Sequence, residues 1–212
     1  MNVAILCGGL GTRLGELTRD LPKPMIPIAG RPYLEYVVDS FRGFDVVLLT
    51  GHKSEVIERH FGDRVAYSRE REPLGTGGAL RQARALLGER FLVTYADVLR
   101  RFDYDRFVRE HHQPTLAVYE RIYVGNTAIE GDRVVRFDKR DTALPYIDAG
   151  FSLMDESIFD LLPERGSFEE SVFPTLAAAR RLACEVVDRN FYDIGTPEEL
   201  ARTRAALEGA QA

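Results

Sequence analysis

The chain has 212 residues and a net charge of −5. That length suits one α/β domain with a sizeable core, and the acidic balance speaks against general nucleic-acid or acidic-membrane binding. The two cysteines, Cys7 and Cys184, lie far apart in sequence and present no disulfide framework or zinc spacing, and His52, His60, His111 and His112 make no metal-ligand pattern. The N-terminus lacks a basic-then-apolar leader, and no apolar run is long enough to span a bilayer, so a reducing, cytoplasmic setting is expected.

In chain order, the apolar run over 3–6 predicts a buried strand that opens onto a glycine turn. A helix is predicted over 32–41, with Pro32 tolerated in its first turn and Tyr33, Tyr36, Val37 and Phe41 along one face. The continuous apolar run over 46–50 reads as a strand covered on both faces. A helix over 54–61, a strand over 65–67, a helix over 78–87, a buried strand over 91–95 and a helix over 102–111 follow. The stretch 115–137 reads as strands and turns, with Gly125-Asn126 and Gly131-Asp132 as turn signals. A strand over 147–154, a helix over 169–181 and a short strand over 183–187 come next. Thr196 as N-cap, Pro197 at the first position and Glu199 at the third begin the last helix. This alternation predicts a single α/β domain over 1–212 around a mostly parallel, doubly wound sheet, with ligands at the carboxyl ends of its strands.

The segment from Leu6 to Pro24 carries the most chemistry. Gly8, Gly9 and Gly11 follow the first strand, Arg13 comes next, and Lys23 lies between Pro22 and Pro24. Glycines let backbone N–H groups reach phosphate oxygens with no Cβ in the way. The dinucleotide fingerprint fails because Leu14 stands where its third glycine belongs, and the ATPase P-loop fails because no lysine follows Gly11. A glycine turn with two nearby cations predicts a nucleotide polyphosphate and a second phosphate held close together. Asp97 ends the apolar run over 91–96, where a carboxylate suits Mg²⁺ bridging phosphates.

The segments GGLGTRL and LPKPM resemble the signature of the sugar-1-phosphate nucleotidylyltransferases. Over 72–78 (EPLGTGG), 146–150 (YIDAG) and 193–197 (DIGTP), the sequence is most similar to the D-glycero-D-manno-heptose 1-phosphate guanylyltransferase type. The resemblance covers residues 1 to about 207. It implies a glycosyltransferase-A-like, Rossmann-type three-layer α/β domain with a mixed, mostly parallel sheet and no C-terminal β-helix domain. It also implies an enzyme that takes a nucleoside triphosphate and a sugar 1-phosphate with Mg²⁺ and releases pyrophosphate.

On that reading, Leu6, Gly8, Gly9, Gly11 and Thr12 hold the nucleotide. Arg13 faces the pyrophosphate side, and Lys23 faces the α-phosphate and the incoming phosphate. Asp193 matches the family's second metal carboxylate beside Asp97. Gly75 and Thr76 lie in the base-recognition segment, where Glu70 and Glu72 replace a glutamine common in uridylyl and thymidylyl relatives. A carboxylate only accepts hydrogen bonds, which suits the N1–H and N2–H₂ donors of guanine first and the amino group of cytosine second. Lys139 (in DKR, where the family has Glu-Lys-Pro), Asp148 (where relatives have Asn), Gly150 and Glu169 fall at sugar-phosphate positions. Glu169 and Glu170 also suit a helix N-terminus by charge alone. Ala96 stands where the family has Gly. A cytidylyl- or uridylyltransferase for another sugar 1-phosphate or a phosphorylated alcohol, a nucleotide-sugar-binding regulatory protein without turnover, and assembly as a homo-oligomer all stay open.

Overall fold

The protein is described by a computed structural model that covers residues 1–9 and 11–209; Leu10 of the glycine loop and the last three residues of the 1–212 domain lie outside the described residues. Among the described residues, thirteen strands and seven α-helices follow one another along the chain, with short 3-10 turns between some of them. The first part holds β1 (Asn2–Leu6), β2 (Pro27–Ile28), β3 (Arg31–Pro32), α1 (Tyr33–Asp39), β4 (Asp45–Thr50), α2 (Ser54–Phe61) and β5 (Ala66–Arg69). The middle holds α3 (Gly75–Gln82), α4 (Arg84–Leu87), β6 (Arg90–Tyr95), β7 (Val98–Arg100), α5 (Tyr104–Glu110) and β8 (Thr115–Glu120). The last part holds β9 (Thr127–Glu130), β10 (Arg133–Phe137), β11 (Tyr146–Asp155), α6 (Phe168–Ala178), β12 (Ala183–Val186), β13 (Phe191–Asp193) and α7 (Pro197–Gly209).

Nine strands form one sheet in the order β5-β4-β1-β6-β11-β8-β12-β10-β9. The sheet is mixed, as expected. Its first half, β5-β4-β1-β6, is wholly parallel. The second half is not: β11 runs antiparallel to both β6 and β8, and β10 antiparallel to β9 and β12, while β8 and β12 pair in parallel. The parallel character read from the alternating pattern therefore belongs mainly to β5-β4-β1-β6, where helices cross between strands. Among the later described strands, β8 and β12 alone pair in parallel.

Successive residues of the central strands face opposite layers. Val3, Ile5, Leu48 and Leu92 join one core with α1, α2, α5 and α7; Ala4, Val47, Leu49 and Val93 join the other with α3, α4 and α6. The result is a three-layer α/β domain. The predicted helix over 78–87 begins earlier, at Gly75, and breaks at Ala83. Gly75 adopts φ +73°, and a Cβ there would lie 2.5 Å from the Gly166 carbonyl oxygen, so the glycine lets the first turn of α3 pack against that loop. Thr196 caps α7 as read from sequence: its Oγ1 accepts from the Glu199 N–H at 3.2 Å. Two short ribbons, β2–β3 and β7–β13, carry no alternating apolar pattern and were outside the sequence reading. No helix among the described residues is long and apolar enough to cross a membrane.

Candidate active site

The strand order turns at β1, with β4 on one side and β6 on the other. Ligands in open α/β sheets bind at the carboxyl ends of strands beside such a switch point. A cavity of about 300 Å³ opens there, lined by Leu6, Gly8, Gly9, Lys23, Glu70 and Asp97, among others. Gly75, Thr76 and Tyr95 also line it.

Lys23 begins a short 3-10 turn (Lys23–Met25) between two prolines. Proline fixes the local backbone and holds the lysine stem against the β1 end. Its Nζ donates to Asp97 Oδ2 at 2.7 Å, and the side chain is only 14% exposed. A charge-assisted bond in a half-dry pocket is strong and directional.

Asp97 and Asp193, far apart in sequence, meet through the β7–β13 ribbon, whose register sets Asp193 opposite Val98. The Ile194 N–H donates to the Asp97 carbonyl at 3.2 Å. The buried Tyr33 hydroxyl joins the same two strands: it donates to the Tyr192 carbonyl at 2.6 Å and accepts from the Leu99 N–H at 2.8 Å. Burial first, and then the Asp97 charge, push the Asp193 carboxyl up to about 6. Gly195 N–H bonds one Asp193 oxygen. Among the described residues no group of three or more His, Cys, Asp or Glu side chains is placed to hold a metal. Two hard carboxylates brought together by the β7–β13 ribbon, with room for phosphate oxygens, still fit Mg²⁺, which is commonly held by one or two carboxylates and the substrate's phosphates.

On the far side of the cavity Glu169 is a hub. It sits at the start of α6 and is 6% exposed. Its carboxylate accepts from Thr76 Oγ1 at 2.9 Å, from Ser167 Oγ at 2.7 Å and from the Tyr95 hydroxyl, and it pairs with Lys139 Nζ at 3.1 Å. Burial alone raises its pKa, but the Ser167 and Tyr95 hydrogen bonds and the Lys139 charge overcome that and hold it near about 2. Thr76 Oγ1 also accepts from the Phe168 N–H at 2.8 Å, so Thr76 ties α3 to α6 at the cavity wall.

Asp148 and Gly150 lie where the β11–β8 register shifts. Such a bulge re-aims side chains toward a site. Asp148 Oδ1 accepts from the Gly150 N–H at 2.7 Å, and burial pushes its carboxyl up to about 6 against that bond.

Glu70 and Glu72 part company. Glu70 is half-buried beside the glycine turn: a Cβ on Gly8 would lie 3.6 Å from its Oε1. Its Oε2 accepts from the Leu74 N–H at 3.2 Å, and burial raises its pKa. Glu72 is exposed and pairs with Arg165 at 2.7 Å. It borders an adjoining open cavity with His52 and Lys53. Thr12 and Arg13 are exposed in the 3-10 turn Thr12–Thr18, where Gly11 turns the chain with φ +65°, and no described residue pairs with Arg13. The structure thus gathers Leu6, Gly8, Gly9, Lys23, Gly75, Thr76 and Asp97 at one cavity, ties Glu169 to its wall residues Thr76 and Tyr95 and to Lys139, bonds Asp148 to Gly150, and leaves Gly11 and the exposed Thr12 and Arg13 outside the cavity lining.

Sequence reasoning missed Tyr33, Tyr95 and Arg100. Tyr33 and Tyr95 lie inside apolar runs and read as core, and Arg100, beside Arg101, reads as surface. Only the ribbon of β7 with β13 and the approach of Gly150 bring them to the site.

A glycine turn at a switch point, a proline-flanked lysine on an aspartate, and a second aspartate joined to the first define a phosphate-handling α/β enzyme site. The nucleotidyl transferase family model matches residues 2–209. The D-glycero-alpha-D-manno-heptose 1-phosphate guanylyltransferase of Campylobacter jejuni is 34% identical over 94% of this chain and 96% of its own length. The enzyme of that name from Aneurinibacillus thermoaerophilus is 33% identical over 98% and 99%. The crystal structure of HddC from Yersinia pseudotuberculosis complexed with GMP-PN superposes with a TM-score of 0.79 at 28% identity, over 97% of this chain and 99% of that one. UDP-glucose pyrophosphorylase complexed with UDP-glucose shares the fold, with a TM-score of 0.83 at 20% identity. The chain belongs to the nucleotidyl transferase family, the enzyme class to which its glycine turn and LPKP segment pointed.

Proposed function

We propose that the protein transfers a guanylyl group from GTP to a sugar 1-phosphate of the heptose or mannose type, with Mg²⁺, giving a GDP-sugar and pyrophosphate. The observation that carries this reading is the half-buried Glu70 carboxylate at the Gly8 turn. An acceptor-only group there suits the N1–H and N2–H₂ edge of guanine and opposes the carbonyl edge of uracil. The heptose and mannose 1-phosphate guanylyltransferases similar to this chain support the same nucleotide and acceptor class. A cytoplasmic location goes with this reading.

The reaction needs no general base. An oxygen of the sugar 1-phosphate, already anionic at neutral pH, forms a bond to the α-phosphorus. The bond from that phosphorus to its β-bridging oxygen breaks, and pyrophosphate leaves with the electron pair. The difficulty is bringing two anions together, so positioning and cations supply most of the acceleration. Lys23 meets the α-phosphate side and exchanges part of its bond to Asp97 for a phosphate oxygen. Asp97 and Asp193 would hold Mg²⁺, whose charge, when bound, neutralises the phosphates. Arg13, exposed outside the cavity lining, folds onto the β- and γ-phosphates and stabilises the leaving pyrophosphate. Lys139, turned toward the site by Glu169, meets the sugar phosphate.

Arg13→Ala is expected to lower turnover by about 10²-fold with little change in acceptor KM, because it acts on developing leaving-group charge; unchanged turnover in steady-state assays removes Arg13 from the mechanism. Glu70→Gln tests the base assignment. An amide offers both donor and acceptor, so the preference for GTP over UTP, measured as a kcat/KM ratio, is expected to fall by about tenfold or more. The same change at Glu72, which pairs with Arg165 in solvent, is expected to leave that ratio alone. A Glu70 variant that keeps the full GTP preference contradicts the assignment.

A further inference from the structure

Arg100 is not among the residues that meet the phosphates. It ends β7, is 6% exposed, and its Nε is buried without a hydrogen-bond partner. No ion pair forms between its guanidinium and any described residue. The group lies against the rings of Phe191 and Phe151, with its carbon 5.0 Å and 5.6 Å from their centroids. It points at the backbone of Gly150, where a Cβ would lie 3.3 Å from its Nη2 and 3.7 Å from the Tyr95 ring. The carboxylates whose charge it feels most are Asp148 and Asp193.

A buried cation with empty donors is costly unless something completes it. A structural arginine would have closed on Asp148 or Asp193. Here the donors stay open at Gly150, a position with φ +75° and no side chain to cover them. Asp148 has one oxygen on the Gly150 N–H, and no described group bonds the other. Open donors and an open acceptor around one glycine match a hydroxyl-bearing ligand. A further anionic group on the ligand is disfavoured, because the charges of Asp148 and Asp193 already act on Arg100.

We propose that Arg100 is a specificity-determining residue for the acceptor, donating to hydroxyl oxygens of a sugar 1-phosphate whose polyhydroxylated ring carries no further charge, while Asp148 accepts from the same hydroxyl cluster. The inference rests on the transfer reaction proposed above. A site built to bond a hydroxyl rejects the analogue that lacks it, because its buried polar groups are then left unpaired.

The test is a calorimetric titration of mannose, glucose and D-glycero-D-manno-heptose 1-phosphates, and of their single-position deoxy analogues, into protein holding Mg²⁺ and a non-hydrolysable GTP analogue. Wild-type protein is expected to bind its best acceptor on the order of tenfold or more tighter than one particular deoxy analogue. Arg100→Met is expected to weaken the parent acceptor by a similar factor and to bind parent and analogue equally. Its affinity for the GTP analogue stays at the wild-type value and serves as the folding control. Arg100→Lys keeps the charge with a different reach and is expected to lose most of the discrimination, so it decides the matter if the methionine variant does not fold. Wild-type discrimination in either folded variant overturns the proposal, as does a wild-type preference for acceptors with a second phosphate or a carboxylate. Failure of wild-type protein to release pyrophosphate from GTP with any acceptor rejects the reaction instead.

Discussion

Asp97→Asn is expected to reduce turnover by about 10³-fold while the protein stays folded. The substitution keeps shape: the amide oxygen still accepts from Lys23, which approaches at 2.7 Å. What it removes is the charge that, with Asp193, would hold Mg²⁺, and the charge that pairs with Lys23. The cost to stability is about 1–2 kcal/mol, since one charge-assisted bond becomes a neutral one. Asp193 also changes. Part of its raised pKa comes from the Asp97 charge, so in the variant it ionises more readily, yet it stands alone. Three measurements check this: kcat across a Mg²⁺ titration, Mn²⁺ binding by electron paramagnetic resonance, and a thermal melt. Wild-type turnover with a wild-type metal response would remove Asp97 from the site.

The second large effect is on stability. Glu169→Ala is expected to cost about 3 kcal/mol, because three side-chain donors and the Lys139 ammonium lose their common acceptor inside the domain. These bonds join α3, β6 and α6, so the loss loosens the acceptor wall as well as the core. The same hub sets an acid limb. Its folded pKa lies near about 2 against the ordinary 4.5, so between those values the unfolded chain binds more protons than the folded one. The stabilisation is full above about pH 4.5 and is lost as pH falls toward about 2. Urea unfolding of wild type and Glu169→Gln across this range is the check: their stabilities are expected to converge as pH falls. A constant gap would mean that Glu169 does not titrate as described.

The elements with strong periodicity were legible from sequence. The apolar runs of β1, β4 and β6 are buried on both faces, and that leaves a signature no turn or surface segment imitates. The caps of α7 and the glycine turn after β1 were readable because each depends on a local rule. The second half of the sheet was harder, since β8 to β12 exchange partners over long distances and short strands look alike in either direction. At the site, Lys23 and Asp97 stood out because each lies at the end of a readable element. Glu70 and Glu72 are two residues apart in one loop and have the same chemistry. Only the backbone path after β5 turns one to Gly8 and the other to Arg165. Arg100 carried no signal at all: a basic residue beside Arg101 reads as surface, and its burial depends on β13, which pairs with β7 from far along the chain.

Pyrophosphate release reports nucleotidyl transfer from GTP to a sugar 1-phosphate. GTP, CTP, UTP, ATP and dTTP are each supplied with Mg²⁺ against a panel of hexose and heptose 1-phosphates. Release is expected with GTP and a heptose or mannose 1-phosphate, and only when both substrates are present. Release with UTP or dTTP in preference to GTP, or no release from any pair by protein that binds GTP, would contradict it.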